Sequence, residues 1–369
     1  MDGRRVLDRT ERGLSEKGAN LVNSSQVPEG SVAVSCIGWQ MGKAVLVTRP
    51  SFTNQQLNTV VPTGEVLPEF LYYHLCTRQA ELKNLGSVGV RTPILNKSRF
   101  EELRIAVPPE AIQRSIVGLL SAYDDLIENN TKRIKILEEM ARSLYREWFV
   151  NFRFPGHEKT KCVGSRVGKI PDGWRLTSLD EASVYINRGV APKYADDGLE
   201  LVINQKCVRD QHLSLAPARR HQTKVPPDKY VRRNDVLINS TGVGTLGRVA
   251  QVLEDTDGVA VDTHVSIVRP RPEVDPDYFG LSLLALEAHF EAQGAGATGQ
   301  TELARARIGA TPLLLPTEKL QRRFGETVHD MRMLAVTLAR KNEFLRATRD
   351  LLLPRLISGA IDVSSLRVE

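Results

Sequence analysis

Two stretches of the chain place a hydrophobic residue every three or four positions. In the first, Ile116, Leu120, Tyr123, Ile127, Asn130, Ile134, Leu137, Ala141, Leu144 and Trp148 follow one another at alternating spacings of four and three. In the second the series is Phe324, Val328, Met331, Ala335, Leu338, Asn342, Leu345, then Leu352 and Leu356. Such a pattern is a heptad seam, with one asparagine in each core row. It predicts two long helices, the first about 55 Å from Gln113 to Phe149 at a rise of 1.5 Å per residue. A lone helix of that kind leaves its apolar stripe in water, and two can bury it against each other. The expected pairing is antiparallel, carried by Ile127, Ile134, Leu137, Leu338 and Leu345. Asn130 and Asn342 are expected within about one helical turn of each other near the middle. The alternative places each asparagine singly at a wet edge.

The rest of the chain has a different period. Short runs such as "GSVAVSCI", "KAVLVT", "LELVINQ", "DVLINS" and "GVAVDTHVSIVRP" are β-branched or alternating and lie between glycines and prolines, which predicts strands and turns. Two short helices are expected at "PEFLYYHLCTRQAELKN" and "PDYFGLSLLALEAHFEAQ".

These elements occur twice. Pro68 pairs with Pro276, Pro108 with Pro316, and Gln113-Arg114 with Gln321-Arg322, each 208 positions apart. Leu95 with Leu303, Leu137 with Leu345 and Leu144 with Leu352 keep that offset. The chain therefore reads as two copies of one unit. The expected fold class is α+β: two β-rich domains joined by two long antiparallel coiled-coil helices, in a pseudo-two-fold internal repeat. The expected boundaries are 1–112 for the first domain, 113–152 for its helix and 153–170 for a linker. The second domain follows at 171–318, its helix at 319–358 and a tail at 359–369. Ile170, where the second copy opens, has no counterpart 208 positions earlier. The first domain is accordingly expected to be N-terminally incomplete by roughly 40 residues.

The repeat also decides how to read "NSTGVGTLGRV". Gly242, Gly244 and Gly247 have the G-x-G-x-x-G spacing of a dinucleotide-binding turn. That turn needs a helix after the glycines. Here "RVAQVL" reads as a strand, and the other copy, "CIGWQMGKAVLV", shares strand, glycine turn and strand. A hairpin is expected, with glycines where φ is positive. "GWQMGK" is one residue short of a phosphate-binding loop, and Ala44 stands where Ser or Thr should hold magnesium.

Composition narrows the function classes. With 41% hydrophobic and 25% charged residues the chain is ordinary for a globular protein. No apolar run is long enough to cross a bilayer, and "MDGRRVLDRTERG" has no apolar core of a signal peptide. Cys36, Cys76, Cys162 and Cys207 lie far apart, which predicts neither a zinc site nor a disulfide framework and fits a cytoplasmic protein. The net charge is +6, and residues 201–233 concentrate it. Lys206, Arg209, Arg219, Arg220, Lys224, Lys229, Arg232 and Arg233 are opposed there only by Asp210 and Asp228. This is a solvated loop or a surface that tracks phosphates. No carboxylate cluster with a lysine, no H-E-x-x-H and no G-x-S-x-G occurs, so no catalytic residue, metal ligand or cofactor site is expected. His264, alternating with Asp262 in "VAVDTHVSIV", reads as a core or interface histidine.

In order along the chain, "FTNQQLNTVVP", "VPPEAIQRSIVGLLSAYDDLIENN", "LEEMARSLYREWFVNFRFPG", "IPDGWRLTSLDEAS", "NDVLINSTGVGTLGRV", "VDTHVSIVRP" and "LLLPRLISGAI" resemble the specificity subunits of Type I restriction-modification systems. The resemblance covers nearly the whole chain. It implies two target-recognition domains, each reading one half of a split site in double-stranded DNA, and helices that set the gap between halves. It also implies docking of methyltransferase subunits, two in number, and through them of restriction subunits that translocate DNA. No catalysis, cofactor or membrane is implied for this chain. The residues expected to touch DNA are Lys206, Arg209, Arg219, Arg220, Lys224 and Arg248. Gln300 and Thr301, with Arg91 and Thr92 opposite them in the repeat, are added from the glycine-rich loops. The alternatives are a defective or half-specific subunit with an incomplete first domain, and a helical scaffold that binds no DNA.

Overall fold

A computed structural model describes residues 5–10, 12–38, 40–86, 93–294 and 302–364. The chain divides into two units, one formed by residues 1–132 with 339–369 and the other by residues 133–338. Each long helix therefore contributes a part to each unit.

Unit 1 begins with β1 (Val6–Leu7), α1 (Glu16–Leu21), β2 (Gln26–Val27), β3 (Val32–Ser35), β4 (Ala44–Val47), β5 (Ser51–Phe52) and β6 (Leu57–Val60). Then come α2 (Pro68–Thr77), α3 (Gln79–Gly86), α4 (Lys97–Glu101) and the long α5 (Glu110–Tyr145). The main sheet has the order β1-β4-β3-β6, and β2 pairs with β5. Val32 and Val34 turn one face of β3 onto Phe70, Tyr73, Leu82 and Leu95. Proline at the first position of α2 suits a helix start, because its missing N–H is one the first turn leaves unpaired anyway.

Unit 2 follows the end of α5, which closes in a π-helical turn at Arg146–Val150. Its strands and first helix are β7 (Cys162–Ser165), β8 (Gly168–Pro171), β9 (Arg175–Ser178), α6 (Leu179–Ala182), β10 (Ser183–Arg188), β11 (Glu200–Ile203), β12 (Val208–Arg209), β13 (His212–Leu213) and β14 (Arg219–His221). Next come β15 (Val236–Asn239), β16 (Val249–Gln251), β17 (Val259–Val261) and β18 (Val265–Pro270). The unit continues through α7 (Pro276–Ala285), α8 (Glu287–Ala292), α9 (Arg305–Gly309), β19 (Pro312–Leu315) and the long α10 (Glu318–Ile357). The sheets run β10-β18-β15-β16, β14-β11-β17 and β19-β9. The expected linker holds a β7–β8 hairpin, with Val163 opposite Ile170. Its apolar residues are too few to announce strands in the sequence.

The repeat is visible in the elements. Pro68 and Pro276 open α2 and α7, Lys97 and Arg305 open α4 and α9, and Glu110 and Glu318 open α5 and α10. Each pair keeps the sequence offset. The triplet β4-β3-β6 has the same neighbours as β16-β15-β18. The repeated Gln-Arg has a structural reason. Gln113 is buried; its Oε1 accepts from the Leu67 N–H at 2.9 Å and its Nε2 donates to the carbonyls of Glu65 and Pro108, both at 2.9 Å. Gln321 does likewise, accepting from the Asp275 N–H at 3.2 Å and donating to the Pro316 carbonyl at 2.8 Å. A buried amide thus ties each long helix to the loop before its domain's central helix.

The two helices pair in opposite directions within each unit. In unit 1, Asp124 bonds Arg349 and Asn130 bonds Asn342, so one number rises as the other falls. Ile116 and Leu120 share a core there with Leu356. In unit 2, Ala141, Trp148 and Phe149 share a core with Phe324 and Val328. Asn130 Nδ2 donates to Asn342 Oδ1 at 2.9 Å, and Asn342 Nδ2 donates to the Ile127 carbonyl at 3.2 Å and to Thr131 Oγ1 at 3.1 Å. Ile127, Leu338 and Leu345 are buried, while Ile134 and Leu137 are half-buried.

Candidate nucleic-acid interface

The basic stretch of unit 2 is built on strands too short to show a period. β12 and β13 form a hairpin through Asp210 and Gln211, both at positive φ (51° and 64°). This geometry matches the twist of the paired strands. Arg209 stands exposed beside the tip, 3.5 Å from Asp210. His212, across from it, meets Glu138 of α5 at 2.6 Å. The hydrogen bond to Glu138 raises the His212 pKa above its ordinary value, against the opposing effect of burial. The hairpin is thereby anchored to the helix.

Lys206 lies exposed just before the hairpin, and its N–H donates to Asn204 Oδ1 at 2.9 Å. Asn204 Nδ2 reaches the Pro217 carbonyl at 2.7 Å, which holds the approach to β14. The neighbouring Gln205 carbonyl accepts from Asn239 Nδ2 at 2.9 Å, at the end of β15. Lys206, the start of β14 and the glycine turn are therefore joined around Asn204 and Gln205. Gln205 Oε1 and Asn239 Oδ1 are enclosed there with no hydrogen-bond partner among the described residues.

Arg219 and Arg220 are adjacent on β14, an edge strand of its sheet, so their side chains leave on opposite faces. The Arg219 guanidinium lies 3.6 Å from the ring centroid of Tyr194, a cation–π contact. Arg220 Nη1 donates to the Gly198 carbonyl at 2.9 Å. Lys224 is exposed in the following loop. Arg248 is half-buried and spends one amino group on the Gly244 carbonyl at 2.8 Å. Gln300, Thr301, Arg91 and Thr92 lie outside the described residues. Of the sites read from the sequence, the structure thus gathers Lys206, Arg219 and the turn bearing Arg248, and turns Arg220 the other way. Tyr194 escaped the sequence reading. An aromatic beside Lys193 and ahead of the basic stretch was the available signal.

The glycine turn joins two antiparallel strands, Leu237 opposite Ala250. No helix follows it, so it is a hairpin. Gly247 has φ +83°, and a Cβ there would come within 2.4 Å of the Glu291 backbone nitrogen, so only glycine fits. Val243 at the tip is 86% exposed. His264 sits at the exposed rim of this turn, not in the core, with Nδ1 2.6 Å from Thr241 Oγ1.

Among the described residues no group of His, Cys, Asp and Glu is arranged to hold a metal ion, and no helix is long and apolar enough to cross a membrane. What the surface offers is exposed cations and an aromatic face on a β scaffold, with two unpaired acceptors enclosed beneath them.

Comparison with known proteins places this arrangement. A family model for the Type I restriction modification DNA specificity domain matches residues 7–139. A Type I restriction enzyme specificity subunit of Methanocaldococcus jannaschii is 23% identical, with 98% of this chain and 84% of that protein covered. One from Haemophilus influenzae is 32% identical over 138 residues, or 36% of this chain and 29% of that protein. The crystal structure of a Type I restriction-modification system S subunit from M. genitalium superposes with a TM-score of 0.58 at 18% identity, covering 89% of this chain and 83% of that one. The fold is shared with that S subunit. Residues 7–139 match the DNA specificity domain of Type I restriction-modification systems, and the chain over nearly its whole length is similar to their specificity subunits.

Proposed function

We propose that the chain gives a Type I restriction-modification complex its DNA sequence specificity. Each recognition domain, 1–112 and 171–318, reads one half of a bipartite site in double-stranded DNA. The helices 113–152 and 319–358 fix the spacing of the halves and dock two methyltransferase subunits, through which restriction subunits attach. The chain performs no catalysis of its own and works in the cytoplasm. The observation that carries this reading is the repetition itself: one element order occurs twice, each time leading into a long helix that pairs antiparallel with the other. A spacer of paired helices sets half-site separation for the same geometric reason that dimer spacing does in other DNA readers.

In unit 2 the division of labour follows from charge and shape. Lys206, Arg209, Arg219 and Lys224 supply phosphate contacts, which position the duplex without reading it. The glycine turn with Val243 and Arg248, and the loop holding Gln300 and Thr301, supply base contacts. Arg91 and Thr92 play the matching part in the first domain.

The test is the salt dependence of duplex binding by the chain in complex with its methyltransferase. Arg219→Ala is expected to weaken binding and to reduce the slope of log K against log salt by about 1, since each lost phosphate contact removes about 0.9, while Arg220→Ala leaves the slope unchanged. An unchanged slope with Arg219→Ala removes Arg219 from the interface.

A further inference from the structure

Within unit 2 the β12–β13 hairpin meets the long helix α5 through a single ring. His212 Nε2 lies 2.6 Å from Glu138 Oε1, and its Nδ1 lies 2.6 Å from the Asp210 carbonyl oxygen. A carboxylate and a carbonyl only accept hydrogen bonds, so each nitrogen must bring a proton. A neutral imidazole has one N–H to give. Either of its tautomers would set a lone pair against an oxygen at 2.6 Å. The arrangement is therefore that of the imidazolium.

The charged groups around the ring come from two elements. Helix α5 presents Glu138 and Arg142, and the hairpin presents Arg209 and Asp210. Arg142 opposes the second proton, but its own guanidinium lies 3.4 Å from Glu139. Arg209 lies 3.5 Å from the Asp210 carboxylate. The strands β15 and β16, packed against the hairpin, carry no titratable side chain. Glu138 prevails over Arg142 and over burial, and holds the ring above the ordinary histidine value of 6.5.

The ring matters to the basic surface because of what it holds. Arg209 is the cross-strand partner of His212. Both strands are two residues long, so the ladder alone fixes little. Asp210 and Gln211 hold positive φ without being glycine, a cost that contacts elsewhere must offset. Two contacts do so. One is the His212–Glu138 bond, and the other runs from Gln211 Nε2 to the Leu284 carbonyl of α7 at 3.2 Å.

We infer that His212 and Glu138 are positioning residues for the DNA contacts of unit 2, a proton-dependent clamp that fixes the hairpin bearing Arg209 against α5. The inference rests on the reading of unit 2 as a DNA-binding domain. Its sign follows from the proton. The clamp is fully formed below the ordinary histidine value and is lost as pH rises through the raised one. Arginine keeps its charge throughout, so what weakens with rising pH is the placing of Arg209 and not its attraction for phosphate.

The test uses the full chain in complex with its methyltransferase and a mixed-sequence duplex. No target sequence is needed, because phosphate contacts do not read bases. Glu138→Gln is compared in the parent and in a His212→Ala chain, which cancels the effect of the carboxylate's own charge on DNA. At about pH 6 the substitution should weaken binding about two- to fivefold more in the parent than in the His212→Ala chain. At about pH 9 it should act alike in both, since the clamp is then open. Histidine ring NMR on the full chain adds a readout without DNA. The His212 signal, known by its loss in His212→Ala, should titrate above its ordinary value in the parent and lower in Glu138→Gln. Equal titration in parent and Glu138→Gln overturns the inference. So does a Glu138→Gln effect that is the same in both backgrounds at about pH 6, or that differs between them equally at both pH values. A parent that binds no duplex overturns the DNA reading, and the positioning role with it; the ring titration tells that failure from a missing clamp.

Discussion

Replacing Arg332 with methionine should destabilise the protein by about 3–5 kcal/mol, the usual cost of leaving one buried charge without its partner. Arg332 is 7% exposed, on α10 within unit 2. Its Nη1 donates to Asp277 and its Nη2 to Gln251 Oε1 at 2.7 Å. Gln251 Nε2 in turn donates to the Pro276 carbonyl at 2.8 Å. One guanidinium therefore joins the long helix to the start of α7 and to β16. Burial pushes its pKa down while Asp277 holds it up. Without it, Asp277 keeps, among the described residues, His329 Nδ1, at 2.8 Å, as its side-chain partner. Urea denaturation should show a lower midpoint with an unchanged slope. Arg332→Met combined with Asp277→Leu should recover most of the loss, because the uncompensated charge is gone. A single variant within about 1 kcal/mol of the parent would mean the pair carries none of the burden that buried pairs carry.

Asn342→Leu has the next largest expected effect, a loss of about 1–3 kcal/mol. Asn130 and Asn342 are both 2% exposed, and their amides satisfy each other. Leucine at 342 strands the Asn130 amide in an apolar seam and also withdraws a partner from Thr131. Leucine at both positions should restore stability or exceed it, since the seam is then wholly apolar. The expected penalty is in register: a polar pair in a core row admits only the alignment in which its members meet. Hydrogen exchange along α5 and α10 should be faster and less uniform in the double leucine variant even though it melts higher. A single variant as stable as the parent would show the asparagines to be solvated.

The long helices were legible because their signal is local and many times repeated. A heptad seam needs only residues that the helix itself supplies, and two asparagines in it stand out against the leucines. The glycine turn was legible once both copies were compared, since the strand after it occurs in each. Distant partnerships were not. Gln113 and Gln321 were visible as a repeated letter, but their role depends on backbone groups some 46 residues away. Arg332 reads as one more charge beside the seam, because Asp277 lies 55 residues earlier. The basic stretch was legible as charge and illegible as surface. Counting cations along the chain does not register that β14 sends Arg219 and Arg220 to opposite faces, and a three-residue strand has no apolar alternation to reveal it.

The central claim, that this chain selects a split DNA site, is tested most directly by methylation sequencing of the source genome with and without its gene. The account predicts a bipartite motif of two short defined halves around a fixed gap, methylated in the parent and unmethylated throughout in the deletion, and restored by the gene supplied in trans. Methylation that is the same in both strains would contradict it.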